Sequence, residues 1–146
     1  LQFVSGRRVS ETFDNEIGTN PRKNDKSVKM KLDKKAGDDK DKFFTFDLIK
    51  GSPVTNKEWK KMLTDTRKAL VGVEPGVYNQ RVNKILKRDL RSDLSSHDLR
   101  SMYGVYRFNT ENIEKQNLVG FISRVLNHGD TSDSGIAYSN FSFVEK

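Results

Sequence analysis

The stretch Ser95-Ser96-His97-Asp98-Leu99-Arg100 reads as the start of a helix. Ser95 or Ser96 suits the cap, because a serine oxygen accepts from the free N–H groups of a first turn. Leu99, Met102, Tyr103 and Tyr106 then recur at the spacing of an inner helical face. On such a helix His97 and Arg100 lie three apart on one side, near the end whose partial positive charge favours an anion. Working outward, Leu118, Phe121, Ile122, Val125 and Leu126 predict a second amphipathic helix that ends at Asn127-His128-Gly129. Gly129 suits a left-handed stop. A flexible stretch, Gly129 to Gly135, leads to Tyr138, and Phe141 and Phe143 are spaced to dock a short closing element.

Toward the N-terminus, Tyr78, Val82, Ile85, Leu86 and Leu90 mark another helix. Its opposite face carries Arg81, Lys84, Lys87, Arg88 and Arg91, a basic stripe that reads equally as a solvated surface or as one facing phosphates. Before it, Trp59, Met62, Leu63, Thr66 and Leu70 form the face of a helix that Thr55 or Asn56 can cap. Ser27-Val28-Lys29-Met30-Lys31-Leu32 alternates polar and apolar like a half-buried strand, and Phe43 to Ile49 is the returning strand. The charged turn between them, Asp33 to Lys42, holds Lys34, Lys35 and Gly37. At the start, Leu1 and Val4 look like the end of a buried helix that turns at Gly6, with Arg7 and Arg8 opening the next one. The polar connector from Asn109 to Asn117 joins the two site-bearing helices. The fold class predicted is mainly α with a small antiparallel β-sheet, an α+β chain.

The composition narrows the chemistry. A chain of 146 residues is expected to form one domain. Hydrophobic residues make up only 34%, but nine Phe, four Tyr and one Trp can fill a core. The net charge of +7 favours a polyanionic partner through Coulomb attraction and counterion release. With no cysteine, disulfides, thiolate metal sites and cysteine nucleophiles are excluded, and two histidines make a histidine metal site a poor expectation. No apolar run approaches the ~20 residues of a membrane span. The chain opens on Leu1-Gln2-Phe3-Val4 rather than Met, which reads as a fragment lacking an N-terminal part.

Metal-free cleavage of a phosphodiester by a side chain needs three things. A nucleophile must form a reversible ester, and tyrosine can. Fixed cations must hold the non-bridging oxygens, and the planar fork of arginine suits them. An acid must protonate the leaving oxygen, which a lysine can do, and a histidine can move protons near neutral pH. Two arginine positions, a lysine turn, two histidines and a late tyrosine supply every part. The residues alone leave a Ser–His–Asp triad open, but no Gly-x-Ser-x-Gly and no phosphate-cradling glycine loop is present.

In this order the residues resemble the boxes of the tyrosine recombinases, the phage-integrase family. Ser5-Gly6-Arg7-Arg8-Val9-Ser10-Glu11 resembles the first box and makes Arg8 the catalytic arginine, with Arg7 the fallback. Lys35-Ala36-Gly37 is similar to the family's lysine turn, so Lys35 is the expected acid, with Lys34 one residue away. His97-Asp98-Leu99-Arg100 resembles the second box, giving Arg100 as second phosphate clamp and His97 as its proton-shuttling or phosphate-bonding partner. Val125-Leu126-Asn127-His128 is similar to the box that supplies a phosphate contact from His128, and Tyr138 stands where the nucleophile is expected. Asn127 replaces the usual glycine, and the His128-to-Tyr138 gap is long, as in divergent phage, viral and mobile-element members or the related hairpin telomere resolvases. The Ser-Lys-x-x-Tyr motif of type IB topoisomerases is absent around Tyr138.

The resemblance implies the catalytic-domain fold of that family over residues 1–146, with a DNA-binding domain expected to precede it. It implies site-specific recombination or integration through a 3′-phosphotyrosine, or telomere resolution by the same chemistry, or an inactive DNA-binding protein of the same fold. Double-stranded DNA would be the partner, with a homodimer or homotetramer assembled on it. No cofactor, metal or membrane is required. The location implied is the cytoplasm or nucleoid, or a host nucleus for a eukaryotic virus.

Overall fold

The computed structural model describes residues 2–9, 12, 27–31, 43–111 and 117–126. Helix α1 spans Gln2–Ser5, strands β1 and β2 span Ser27–Lys31 and Phe43–Asp47, and α2 spans Asn56–Ala69. Helices α3, α4 and α5 span Pro75–Asp89, Ser96–Glu111 and Leu118–Leu126. The described part is thus mainly helical, with one two-stranded antiparallel ladder in which Val28 faces Phe46 and Lys29 faces Thr45. The charged turn predicted between the strands lies outside the described residues.

Local chemistry explains where the helices begin. Thr55 caps α2: its hydroxyl accepts from Glu58 N–H at 3.2 Å, while its own N–H donates to Glu58 Oε2 at 2.7 Å. Ser95 does the same before α4, donating its N–H to Asp98 Oδ2 at 2.7 Å and accepting from Asp98 N–H at 3.4 Å. The side-chain oxygen of Asn117 accepts from Gly120 N–H at 2.7 Å ahead of α5. Pro75 in the first turn of α3 costs no helical hydrogen bond there.

Two buried clusters hold these elements together. Val28, Phe46, Trp59 and Leu63 close the ladder against α2, with the Phe46 and Trp59 rings edge to face at 5.8 Å. Ile49, Tyr103, Val105, Phe121, Ile122 and Leu126 form the seam between α4 and α5. That seam is close: a Cβ on Gly104 would lie 3.3 Å from Ile122. Val4 packs against both clusters, and its carbonyl accepts from Ile49 N–H at 3.0 Å, so α1 ties the ladder to the helices. Helix α3 is fixed to the start of α4 by polar contacts. Ser96 N–H donates to Asn83 Oδ1 at 2.7 Å, and Ser96 Oγ lies 2.6 Å from Asn79 Oδ1.

Several expectations are corrected. Helix α4 runs on through Asn109 to Glu111 instead of ending at a connector. Asn109 and Thr110 bond back to the carbonyls of Val105 and Tyr106, and Arg107 pairs with Glu111 at 2.5 Å, so polar residues extend the helix. Met102 is exposed although its spacing suggested the inner face, because Arg100 and Ser101 occupy buried positions of α4. Met62, Ile85 and Leu90 are likewise exposed.

Candidate active site: an arginine pair at the end of a helix

Ser5 ends α1, and Gly6 takes φ +63°, the left-handed region that a side chain disfavours. The turn delivers Arg7 and Arg8. Arg7 is buried, at 1% exposure. Its Nη2 donates to Val125 O at 3.2 Å, and its guanidinium carbon lies 4.9 Å from the centre of the Phe46 ring. Arg100, at 2% exposure, donates Nη2 to Leu126 O at 2.8 Å and Nη1 to Gly6 O.

Two guanidiniums therefore meet the consecutive carbonyls Val125 and Leu126 at the C-terminal end of α5. These carbonyls have no partner inside their own helix, and the negative end of the dipole favours cations there. Their donors answer the carbonyl end of α5, so the two guanidiniums fix the Gly6 turn and α4 against that helix. The sequence continues from this point directly into Asn127 and His128.

Arg8, the arginine expected from the first box, is half-buried. Its carbonyl accepts from Thr12 N–H at 2.9 Å and Thr12 Oγ1 at 2.8 Å, which opens a helical turn. Among the described residues, Arg7 and Arg100 both bond the end of α5, and the sequence had Arg7 only as the fallback. His97 is exposed on the first turn of α4 while Arg100 is buried, so the two differ in surroundings despite their spacing. Lys34, Lys35, His128 and Tyr138 lie outside the described residues.

The sequence did not mark Tyr103 as more than core. It is fully buried, its hydroxyl donates to Asp47 O at 2.7 Å, and Arg107 Nη1 donates to the hydroxyl at 3.1 Å. Burial pushes this hydroxyl above its ordinary range, with the neighbouring Arg107 opposing the shift, so it stays a donor at neutral pH. Arg107, Glu111, Asp47 and Arg124 also line a cavity of about 320 Å³ between β2, α4 and α5. Among the described residues no group of three metal-ligating side chains occurs, and no helix is long and apolar enough to cross a membrane.

No protein-family model matches the chain, and no curated protein matches it in sequence. Solved structures do match in fold. A variant of protelomerase TelA complexed with a DNA hairpin product superposes with a TM-score of 0.70 at 11% identity, covering 97% of this chain and 51% of that one. The selenomethionine form of the protelomerase, covalently complexed with substrate DNA, gives 0.68 at 11% identity over 97% and 50%. A further covalent complex gives 0.66 at 13% identity over 94% and 50%. The chain spans about half the length of these proteins. Their likeness to this chain is one of fold.

Proposed function

We propose that the chain carries the DNA-cleaving and rejoining chemistry of a tyrosine recombinase-like enzyme, with telomere resolution favoured over integration as its outcome. The observation that carries this reading is the meeting of the Gly6-Arg7-Arg8 turn and Arg100 at the carbonyl end of α5. The fold likeness to protelomerases, which were captured as covalent DNA complexes and with a hairpin product, favours the telomere-resolving form.

In this mechanism the Tyr138 hydroxyl oxygen attacks the scissile phosphorus and passes its proton to His97. The bond from phosphorus to the 5′ oxygen breaks, leaving a 3′-phosphotyrosine. Lys35 gives the departing 5′ oxygen its proton. Arg8 and Arg100 hold the non-bridging oxygens, where charge grows in the transition state, and Arg7 fixes the turn that presents Arg8. His97 and His128 bond the phosphate and move protons. A 5′ hydroxyl then attacks the phosphotyrosine, restoring the phosphodiester and freeing Tyr138. Because the ester conserves the bond, no metal or high-energy cofactor is required. The chain would act as a catalytic domain beside a DNA-binding domain, in a homo-oligomer on double-stranded DNA.

The test is covalent trapping on supercoiled plasmid in EDTA, quenched with detergent. Wild type is expected to yield DNA-linked protein, Tyr138→Phe none, and Arg100→Ala at least about a hundredfold less, the usual cost of one transition-state donor. DNA binding without adduct in wild type would overturn the proposal in favour of a DNA-binding protein that lacks the chemistry. For the outcome, a duplex with an inverted repeat should give closed hairpin ends; strand exchange between two duplexes instead would favour a recombinase.

A further inference from the structure

Tyr103 lies on α4 three positions after Arg100, and its ring occupies the space over Gly6. A Cβ placed on Gly6 would come within 2.2 Å of Tyr103 Cδ1 and 2.5 Å of Cε1. The glycine turn that delivers Arg7 and Arg8 therefore rests directly on this ring. The far end of the ring is pinned. Its hydroxyl donates to the carbonyl of Asp47, the last residue of β2, and accepts from Arg107, whose Nη2 is held by Glu111 at 2.5 Å. The Arg107 guanidinium carbon also lies 5.7 Å from the ring centre. One side chain thus touches the first-box turn, the end of the ladder and the second-box helix.

We propose that Tyr103 is a positioning residue for the arginines of the Gly6 turn: the tethered hydroxyl fixes the ring, and the ring sets where the turn holds Arg7 and Arg8. The inference rests on the proposed function. Its physical basis is tolerance. A phosphate clamp works only within roughly 0.5 Å of its productive geometry, and a misplacement of about 1 Å can cost a hundredfold in rate. A phenylalanine would fill the same volume but release the tether to Asp47 and Arg107.

The experiment compares two synthetic duplexes spanning the cleavage site mapped from the plasmid adduct. One has the natural scissile phosphate. The other has a methylphosphonate, in which a methyl group replaces one non-bridging oxygen and removes the charge the arginines neutralise. Tyr103→Phe is expected to slow adduct formation about tenfold on the phosphate and no more than about threefold on the methylphosphonate, each relative to wild type. Duplex affinity and thermal melting should stay close to wild type. Gly6→Ala should show the same pattern more strongly, and if it does not fold, Tyr103→Phe alone decides. Equal slowing on both duplexes, or none on either, would overturn the positioning role and leave the tyrosine chemistry standing. A wild type that forms no adduct on the phosphate would overturn the proposed function and this inference together.

Discussion

Arg7 and Arg100 are the most buried charged side chains among the described residues, and each ends on a carbonyl of α5. The sequence singled out Arg100 through His97-Asp98-Leu99-Arg100, but its burial and its bond to the end of α5 were not readable there. That Arg7 meets the end of α5 was not readable either, because adjacent residues on a tight turn point apart and the pattern names only one. Tyr103 was read as core, since periodicity reports burial and is silent about where a hydroxyl ends. Its titration gives a prediction. The folded state favours the neutral phenol, chiefly through burial, so its folded pKa lies above the ordinary value of about 10. The groups that face it are Arg107, Arg7 and Glu111. A raised pKa contributes stability that is fully present below about pH 10 and is lost as pH rises through the folded value. Wild type should therefore lose stability more steeply than Tyr103→Phe above about pH 10, measured as urea midpoints against pH. Parallel curves would contradict it.

At the scale of elements, the helix starts were the most readable features. Thr55 stood among the expected caps of α2 and Ser95 among those of α4, and each proves to make a reciprocal pair with an acid three residues on. Ser95→Ala should cost about 1 kcal/mol. For a chain of this size that is a fall of roughly 2–4 °C in melting temperature, checked by calorimetry; an unchanged midpoint would mean that the cap contributes nothing. The end of α4 was misjudged because polar residues such as Asn109 and Thr110 read as connector, yet here they bond back to the preceding turn. The ties from Asn79 and Asn83 to Ser96 were invisible, since they link residues distant in sequence through side-chain amides that no local pattern marks.

Across the whole molecule, the excess of positive charge is not spread evenly in effect. Of the predicted basic stripe, Arg88 on α3 pairs with Asp89, and Arg91 just beyond the helix pairs with Asp93, exposed pairs that reduce the net charge they present. Arg81, Lys84 and Lys87 remain as exposed cations. If this face tracks the DNA backbone, the affinity for a random-sequence duplex should fall steeply with salt. Replacing Arg81 and Lys84 together with alanine should then lower the log–log slope by about 2, roughly one for each phosphate contact. An unchanged slope would place the backbone contacts elsewhere. The helical fold with its small ladder was readable from periods of hydrophobicity alone. The meeting of the Gly6 turn, α4 and the end of α5 depends on contacts between distant segments, which periodicity does not carry.

The most direct measurement is the identity of the residue that holds the DNA. Adduct formed on plasmid in EDTA would be digested with nuclease and trypsin, and the nucleotide-bearing peptide sequenced by mass spectrometry. The account predicts a single modified residue, Tyr138, joined to a 3′ phosphate, with a free 5′ hydroxyl on the other end of the break. A nucleotide on any other residue, or breaks that leave 5′ phosphates, would contradict it.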